Sequence, residues 1–174
     1  NGRMLITSLY GTVWITSPVN QPPVTYSVYL ELPNLNNSAE HGLMEVLLDP
    51  DFASNNFIYL YYSTTANKNR VSRFLHQGTT ASLASETVIF ETPDPFSSCC
   101  HVGGAMAFAN DGHILLAIGD DFTPALAQDL SKSYGKVHRF SKTGVAPMDN
   151  PYWDPTPGLY NSTGKLKTVF ASGL

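Results

Sequence analysis

Apolar residues along the chain fall in short runs separated by polar turns, a pattern typical of β-strands. Residues 57–63 form an unbroken apolar and aromatic run, which predicts a buried strand. Residues 4–8 and 12–16 flank Tyr10-Gly11 and predict a hairpin. The remaining pattern predicts a short helix or turn over residues 125–133 and strands at 71–75, 87–92, 113–119, 137–140 and 167–171. The sequence therefore predicts an all-β protein with little helix.

One unit, a polar turn followed by a mostly apolar strand, recurs along the chain. It begins at Asn1, Asp51 and Asn110, and a period of about 55 residues is long enough for a four-stranded propeller blade. We therefore predict a β-propeller with four-stranded antiparallel blades, of which about three fit in this chain. Such an arc leaves sheet faces and edges uncovered. We expect residues 1–174 to be a partial propeller, truncated at both ends and completed by remaining blades or partner chains.

Composition narrows the classes of function. Apolar residues make up 43% of the chain, which is typical of a globular protein. The ten Lys and Arg residues are scattered and the net charge is -4, so no basic stripe for nucleic acid is present. No apolar run approaches the length of a membrane span. Two N-x-[ST] triplets, at Asn36 and Asn161, are candidate glycosylation sites.

The two cysteines, Cys99 and Cys100, are adjacent. They are either two buried thiols or a strained disulfide, because adjacent Cα atoms lie only about 3.8 Å apart. An oxidised pair favours an exported protein and would make a rigid turn just before His101. We predict the disulfide, in a secreted protein of extracellular or periplasmic location.

His101 is the candidate catalytic residue. It precedes two glycines, where backbone can approach a ligand closely. Asp120 ends the neighbouring predicted strand, and its carboxylate could accept a hydrogen bond from the His101 imidazole. That contact would fix the tautomer and raise the basicity of the ring, as a general base requires. A histidine in a turn can equally be structural, and the spacing of the five histidines predicts no metal site.

Further stretches follow one family pattern in order and spacing from Glu40 onward. Residues 40–46 and 49–53 match E/Q-x-G-L-L-G/D-V and P-D-F, and residues 101–104 match H-x-G-G. Residues 111–120 match D-G-x-L-Y-x-x-x-G-D. The last blocks, A-Q-D-L, G-K-x-x-R-L and D-N-P, correspond to residues 127–130, 135–140 and 149–151. In these stretches the chain resembles the soluble quinoprotein glucose/sorbosone dehydrogenases, a family that includes hedgehog-interacting-protein-like propellers.

The resemblance implies a specific site. It implies a six-bladed propeller that binds pyrroloquinoline quinone (PQQ), with calcium, in its central mouth. His101 would contact the cofactor and take the hydroxyl proton of a sugar while hydride passes to the quinone, and Asp120 would orient His101. Glu40 corresponds to a cofactor-contacting residue of the family, and Asp121 is a further candidate for such a contact.

The sequence also departs from the family pattern. Ala105 and Met106 stand where the family has Arg and Leu, and the chain ends before the R-N-P segment and the calcium loop. Most cofactor-binding residues are therefore expected outside this chain. The leading hypothesis is part of a PQQ-dependent sugar or aldose dehydrogenase. The alternative is a non-catalytic extracellular propeller of the same family that binds protein or glycan or forms part of a larger assembly, so enzyme activity stays open.

Overall fold

The structure, a computed structural model, describes residues 2–174. Asn1, the first residue of the predicted repeat, lies outside the described residues. Residues 2–174 form eleven β-strands, one α-helical turn and one short 3-10 helix. The predicted all-β class is confirmed, and the helix or turn expected over residues 125–133 is a 3-10 helix at Pro124–Gln128.

The strands form three antiparallel sheets, each a meander in which consecutive strands pair. The first sheet contains β1 (Leu5–Thr7), β2 (Thr12–Thr16) and β3 (Tyr26–Glu31). The second contains β4 (Leu43–Leu48), β5 (Phe57–Ser63), β6 (Asn69–His76) and β7 (Ala81–Glu91), with α1 (Phe52–Asn55) between β4 and β5. The third contains β8 (Gly103–Phe108), β9 (Ile114–Ile118), β10 (Lys136–Phe140) and β11 (Val169–Ser172).

The three sheets are consecutive propeller blades. β5 and β9, two of the strands in the predicted repeat, are each the second strand of a four-stranded sheet. β1, the other repeat strand, is an edge strand, so the first sheet has three strands within residues 2–174 instead of the four predicted. β4 contacts both β1 and β8, which places the starts of the second and third blades side by side.

The core lies between the sheets, and β5 contributes to both of its halves. Ile58 and Leu60 belong to the cluster shared with the first sheet, whereas Tyr59 and Tyr61 belong to the cluster shared with the third. All four side chains are fully buried. Successive residues of a strand point to opposite faces, so a strand between two sheets needs apolar residues at every position. This explains the unbroken apolar run at residues 57–63.

Polar side chains tie the strands together at the end where β4 and β10 finish. The buried carboxylate of Asp49 accepts hydrogen bonds from the Tyr59 hydroxyl at 2.9 Å and from the Lys142 ammonium at 2.7 Å. Nearby, Arg139 pairs with Asp111 and, at 2.9 Å, with Asp149. The acidic turns at residues 49–51 and 149–151 are therefore structural anchors of the blades.

Candidate active site

Three chain segments meet at the end of the blades where β8 begins and β9 finishes. β8 and β9 are antiparallel, and Gly103 pairs with Ile118, so His101 and Asp120 lie just beyond the same end of the ladder. Glu40, which precedes β4, reaches the same place because its backbone N–H donates to the Cys99 carbonyl at 3.3 Å. The fold thus brings together residues far apart in sequence.

His101 and Asp120 form a hydrogen-bonded pair. The imidazole Nδ1 lies 2.7 Å from Asp120 Oδ1, and the side chains of His101 and Asp120 are 52% and 14% exposed. A carboxylate accepts hydrogen bonds, so Nδ1 is the donor in this pair, and in a neutral ring the lone pair then lies on Nε2. An imidazole whose Nδ1 is hydrogen-bonded to a carboxylate and whose Nε2 has no hydrogen-bond donor on it can accept a proton from a ligand hydroxyl at Nε2.

Glu40 holds the backbone of His101. The His101 N–H donates to Glu40 Oε2 at 2.7 Å, and His101 has a left-handed φ of 59°. This conformation is uncommon for a residue with a Cβ atom, and it is maintained here by contacts on both the backbone and the ring. The structure gives Glu40 this contact, while its role as a cofactor contact stays a prediction.

The glycines around His101 allow backbone segments to touch each other. A Cβ atom on Gly119 would lie 2.0 Å from the His101 carbonyl oxygen, and one on Gly103 would lie 2.7 Å from the Gly119 nitrogen. A Cβ on Gly104 would lie 2.7 Å from the Tyr61 ring. The sequence suggested that Gly103 and Gly104, the two glycines that follow His101, allow backbone to approach a ligand closely. The structure shows that they admit the end of β9 and an aromatic ring of the neighbouring blade.

Asp121, the second predicted cofactor contact on this strand end, is only 3% exposed. Its carboxylate accepts hydrogen bonds from the backbone N–H groups of Ser97 and Ser98 at 2.8 and 3.1 Å. The structure therefore places Asp121 beneath the segment that leads to His101, and a cofactor contact by Asp121 also stays a prediction.

Two further residues complete the surroundings of His101, and sequence reasoning missed both. His41 is buried and donates from Nε2 to the Ser98 carbonyl at 2.9 Å, with its ring stacked on Phe96. Phe122 lies with its ring edge-on to His101, with the centroids 5.0 Å apart, and is 64% exposed. His41 lies inside the matched block at residues 40–46, which was a signal for it, whereas nothing in the local pattern singles out Phe122.

The structure joins Cys99 and Cys100 by a disulfide, directly before His101. We expect the unreduced protein to be lighter than the reduced protein by the mass of two hydrogen atoms. We also expect both cysteines to resist alkylation under denaturing conditions until a reductant is added. Intact-mass spectrometry with and without reductant measures both. Full alkylation of both residues in denatured, unreduced protein would show free thiols instead.

The side chains of both candidate glycosylation sites are engaged in the fold. The amide nitrogen of Asn36 donates to Asn67 Oδ1 at 2.9 Å, and that of Asn161 donates to the Tyr152 carbonyl at 3.0 Å. Attachment of a glycan to either nitrogen would require release of these contacts. Glycosylation at Asn36 and Asn161 stays a prediction.

The electrostatic surroundings of His101 are acidic. Among the described residues, the carboxylates of Glu40 and Asp120 hydrogen-bond to it and the Phe122 ring lies edge-on to its imidazole. Within residues 2–174 no group of three or more His, Cys, Asp and Glu side chains could hold a metal ion. In the same range no helix is long and apolar enough to cross a bilayer.

The fold and this site define a β-propeller whose blade ends carry a histidine paired with a carboxylate. The family model described as "Glucose / Sorbosone dehydrogenase" matches residues 1–173, so the chain belongs to the glucose/sorbosone dehydrogenase family. The aldose sugar dehydrogenase YliI of Escherichia coli strain K12 is 30% identical over 125 residues, which are 70% of this chain and 34% of that protein.

Solved structures agree with this assignment. The soluble aldose sugar dehydrogenase of Escherichia coli, in its apo form, superimposes with a TM-score of 0.81 at 25% identity, covering 97% of this chain and 47% of that one. The PQQ-bound aldose sugar dehydrogenase of Streptomyces coelicolor gives a TM-score of 0.77 at 25% identity, with coverages of 91% and 48%. The chain thus spans about half the length of these solved structures.

Proposed function

We propose that this chain is the His101-bearing part of a PQQ-dependent dehydrogenase that oxidises a hydroxyl group of an aldose or related sugar. The observation that carries the proposal is the pair formed by the exposed His101 imidazole and the Asp120 carboxylate at 2.7 Å. Membership of the family supports the reaction class, and the PQQ-bound relative of known structure supports the cofactor.

In this proposal residues of the chain accept the proton that leaves the sugar hydroxyl. His101 Nε2 accepts the proton of the sugar hydroxyl, and the Asp120 carboxylate stabilises the imidazolium that results. Glu40 accepts the His101 N–H and so fixes the backbone from which the imidazole reaches Asp120. Bound PQQ supplies the acceptor for the hydride that leaves the sugar carbon, which becomes a carbonyl carbon. The proton and the two electrons removed from the sugar are thereby accounted for.

The residues of this chain fit one side of a quinone site. His101 is half-exposed and presents a free nitrogen, as a base beside a bound sugar and quinone must. PQQ carries carboxylate groups, whereas the charged side chains that hydrogen-bond to His101 are the carboxylates of Glu40 and Asp120 and cannot pair with them. We assign the cationic groups, the calcium ion and the remaining propeller blades to the part of the protein that corresponds to the other half of its relatives. Residues 1–174 would then be a partial propeller of an exported protein.

A non-catalytic propeller of the same family is the second candidate. Ala105, the exposed residue that stands where the family pattern has Arg, favours it because the sequence departs there from the pattern of the dehydrogenases. Such a protein would keep the fold and bind a protein or glycan instead of a quinone.

Adding PQQ and calcium to the full-length protein tests the two candidates. We expect tight, saturable quinone binding and oxidation of an aldose with an artificial electron acceptor. A matched alditol, in which the anomeric hydroxyl is absent, should be oxidised far more slowly. A correctly folded protein that binds no quinone would contradict the proposal and favour the binding propeller.

A further inference from the structure

Asp121 binds the segment of chain that leads to His101. Oδ2 of Asp121 accepts the Ser97 N–H at 2.8 Å and the Ser97 hydroxyl at 3.0 Å, and Oδ1 accepts the Ser98 N–H at 3.1 Å. These bonds close the segment 97–101, called the cysteine segment below, against the end of β9. Both carboxylate oxygens are thus occupied by the protein itself.

Two consecutive residues, Asp120 and Asp121, bind the two ends of the cysteine segment. Asp120 binds the imidazole of His101 at one end, and Asp121 binds the backbone of Ser97 and Ser98 at the other. Any shift of Asp121 relative to the segment therefore changes the approach of His101 to Asp120. The close contact of Gly119 with the His101 carbonyl leaves no space for an inward shift to compensate.

The backbone after Asp120 adopts a conformation that needs these bonds. Asp121 and Phe122 are consecutive non-glycine residues with φ values of 56° and 53°, in the left-handed region. The left-handed region is unfavourable for residues with a Cβ atom, so such a conformation persists only when the surrounding contacts determine it. The turn directs the Asp121 carboxylate inward and leaves the Phe122 ring beside His101.

The burial and the hydrogen bonds of Asp121 indicate that its carboxylate serves to bind the backbone of the cysteine segment. Asp121 is buried, with 3% of its surface exposed, and the hydrogen-bond partners of its carboxylate are neutral N–H and O–H groups. A buried carboxylate is costly unless donors satisfy it, and hydrogen bonds to an ionised acceptor are stronger than those between neutral groups. Removing the carboxylate leaves two backbone N–H groups of the cysteine segment without their partner.

We propose that Asp121 is a positioning residue that keeps the His101 imidazole on Asp120, and so keeps Nε2 available as the proton acceptor. The catalytic part of this inference rests on the proposed function, whereas the structural part does not. Asp121 acts through the cysteine segment, and the disulfide between Cys99 and Cys100 stiffens the link between its anchor and His101.

The test uses the full-length protein with Asp121→Ala and Asp121→Asn. Asp154→Asn is the matched control, because its carboxylate also accepts two backbone N–H groups, from Thr156 and Ser162 at 3.1 and 2.7 Å, in a turn outside the site. The first readout is the ¹⁵N NMR spectrum of the histidine rings at pH 8, with the His101 signals identified from their loss in His101→Gln. The second is kcat/KM for aldose oxidation at saturating PQQ.

We expect the wild type and Asp154→Asn to show His101 protonated on Nδ1, and Asp121→Ala to show a mixture of both tautomers. A misplacement of about 1 Å costs about 10²-fold in rate, so kcat/KM should fall by about that factor in Asp121→Ala. Asp121→Asn keeps one acceptor oxygen and should restore part of both readouts. Should Asp121→Ala fail to fold, Asp121→Asn against Asp154→Asn decides the question.

The NMR readout separates the inference from the proposed function. If no variant and no wild type oxidises sugar, the tautomer shift in the Asp121 variants still supports the positioning role. An unchanged Nδ1–H tautomer in folded Asp121→Ala and Asp121→Asn would overturn it, whatever the activity of the protein.

Discussion

Replacing His101 by alanine should lower the turnover of aldoses by about 10²- to 10⁴-fold in the full-length protein, which is the usual contribution of a general base. The substitution removes the nitrogen that accepts the hydroxyl proton but leaves Asp120, Asp121 and the cysteine segment in place. We expect quinone binding to persist in the variant, because the His101 side chain is half-exposed and its removal leaves the buried core intact. Steady-state oxidation with an artificial electron acceptor measures the effect at matched quinone occupancy.

His113→Ala is the matched control for this experiment. His113 also lies beside an aspartate, with Nδ1 3.1 Å from Asp111 Oδ1, but at the opposite end of β9. The turnover of His113→Ala should equal that of the wild type. Asp120→Asn should lower turnover less than His101→Ala, since the base remains and only its orientation is weakened. Equal turnover in His101→Ala and wild type at full occupancy would remove His101 from the mechanism.

The second large effect concerns acid stability and comes from a different histidine. His138 on β10 is fully buried, with Nε2 donating to the Ser133 carbonyl at 2.8 Å and Nδ1 3.0 Å from the Thr168 hydroxyl oxygen. Burial lowers the pKa of His138 from 6.5 to about 4, and the neighbouring Lys136 charge contributes in the same direction. The neutral ring is therefore part of the folded state.

The sign of the pH dependence follows from these two pKa values. In the unfolded chain His138 takes up a proton near pH 6.5, whereas in the folded protein it resists protonation until about pH 4. Its contribution to stability is complete above pH 6.5 and is lost as the pH falls to about 4. One pKa unit corresponds to about 1.4 kcal/mol, so the loss from this residue is about 3 kcal/mol.

Urea unfolding of the wild type and His138→Gln at pH 7.5 and pH 4 isolates this contribution. Protonation of carboxylates lowers the stability of both proteins equally. The difference between their pH dependences therefore gives the contribution of His138. We expect the free energy of unfolding to fall by about 3 kcal/mol less in His138→Gln than in the wild type. The same pH dependence in both proteins would show that His138 is not held neutral in the fold.

The strands that could be predicted are those whose residues carry the signal themselves. β2 and β5 were predicted at their observed bounds, because apolar and β-branched residues fill them. β3, β4 and β8 were not predicted as strands. β8 reads Gly-Gly-Ala-Met-Ala-Phe, which has no β-branched residue and begins like a turn. Its strand conformation is imposed by pairing with β9 and by packing on the neighbouring blade.

The site was predictable to a similar degree. The position of His101 before the glycines and of Asp120 at a strand end sufficed to predict their pairing, since adjacent antiparallel strands bring those ends together. The contacts of Glu40 with His101 and of Asp121 with Ser97 and Ser98 could not be predicted in this way. They span 61 residues in one case and 23 to 24 in the other, and they depend on how loops from two blades meet.

The most direct test of the central claim is a single anaerobic reaction of the PQQ-loaded full-length protein with an aldose, followed by the absorbance of the oxidised quinone. Without an electron acceptor the reduced quinone is not reoxidised. The absorbance change therefore reports only the chemical step in which His101 accepts the proton. We predict rapid loss of that absorbance in the wild type and a loss about 10²- to 10⁴-fold slower in His101→Ala. Equal rates in the two proteins, or no reaction in a fully loaded wild type, would contradict the account.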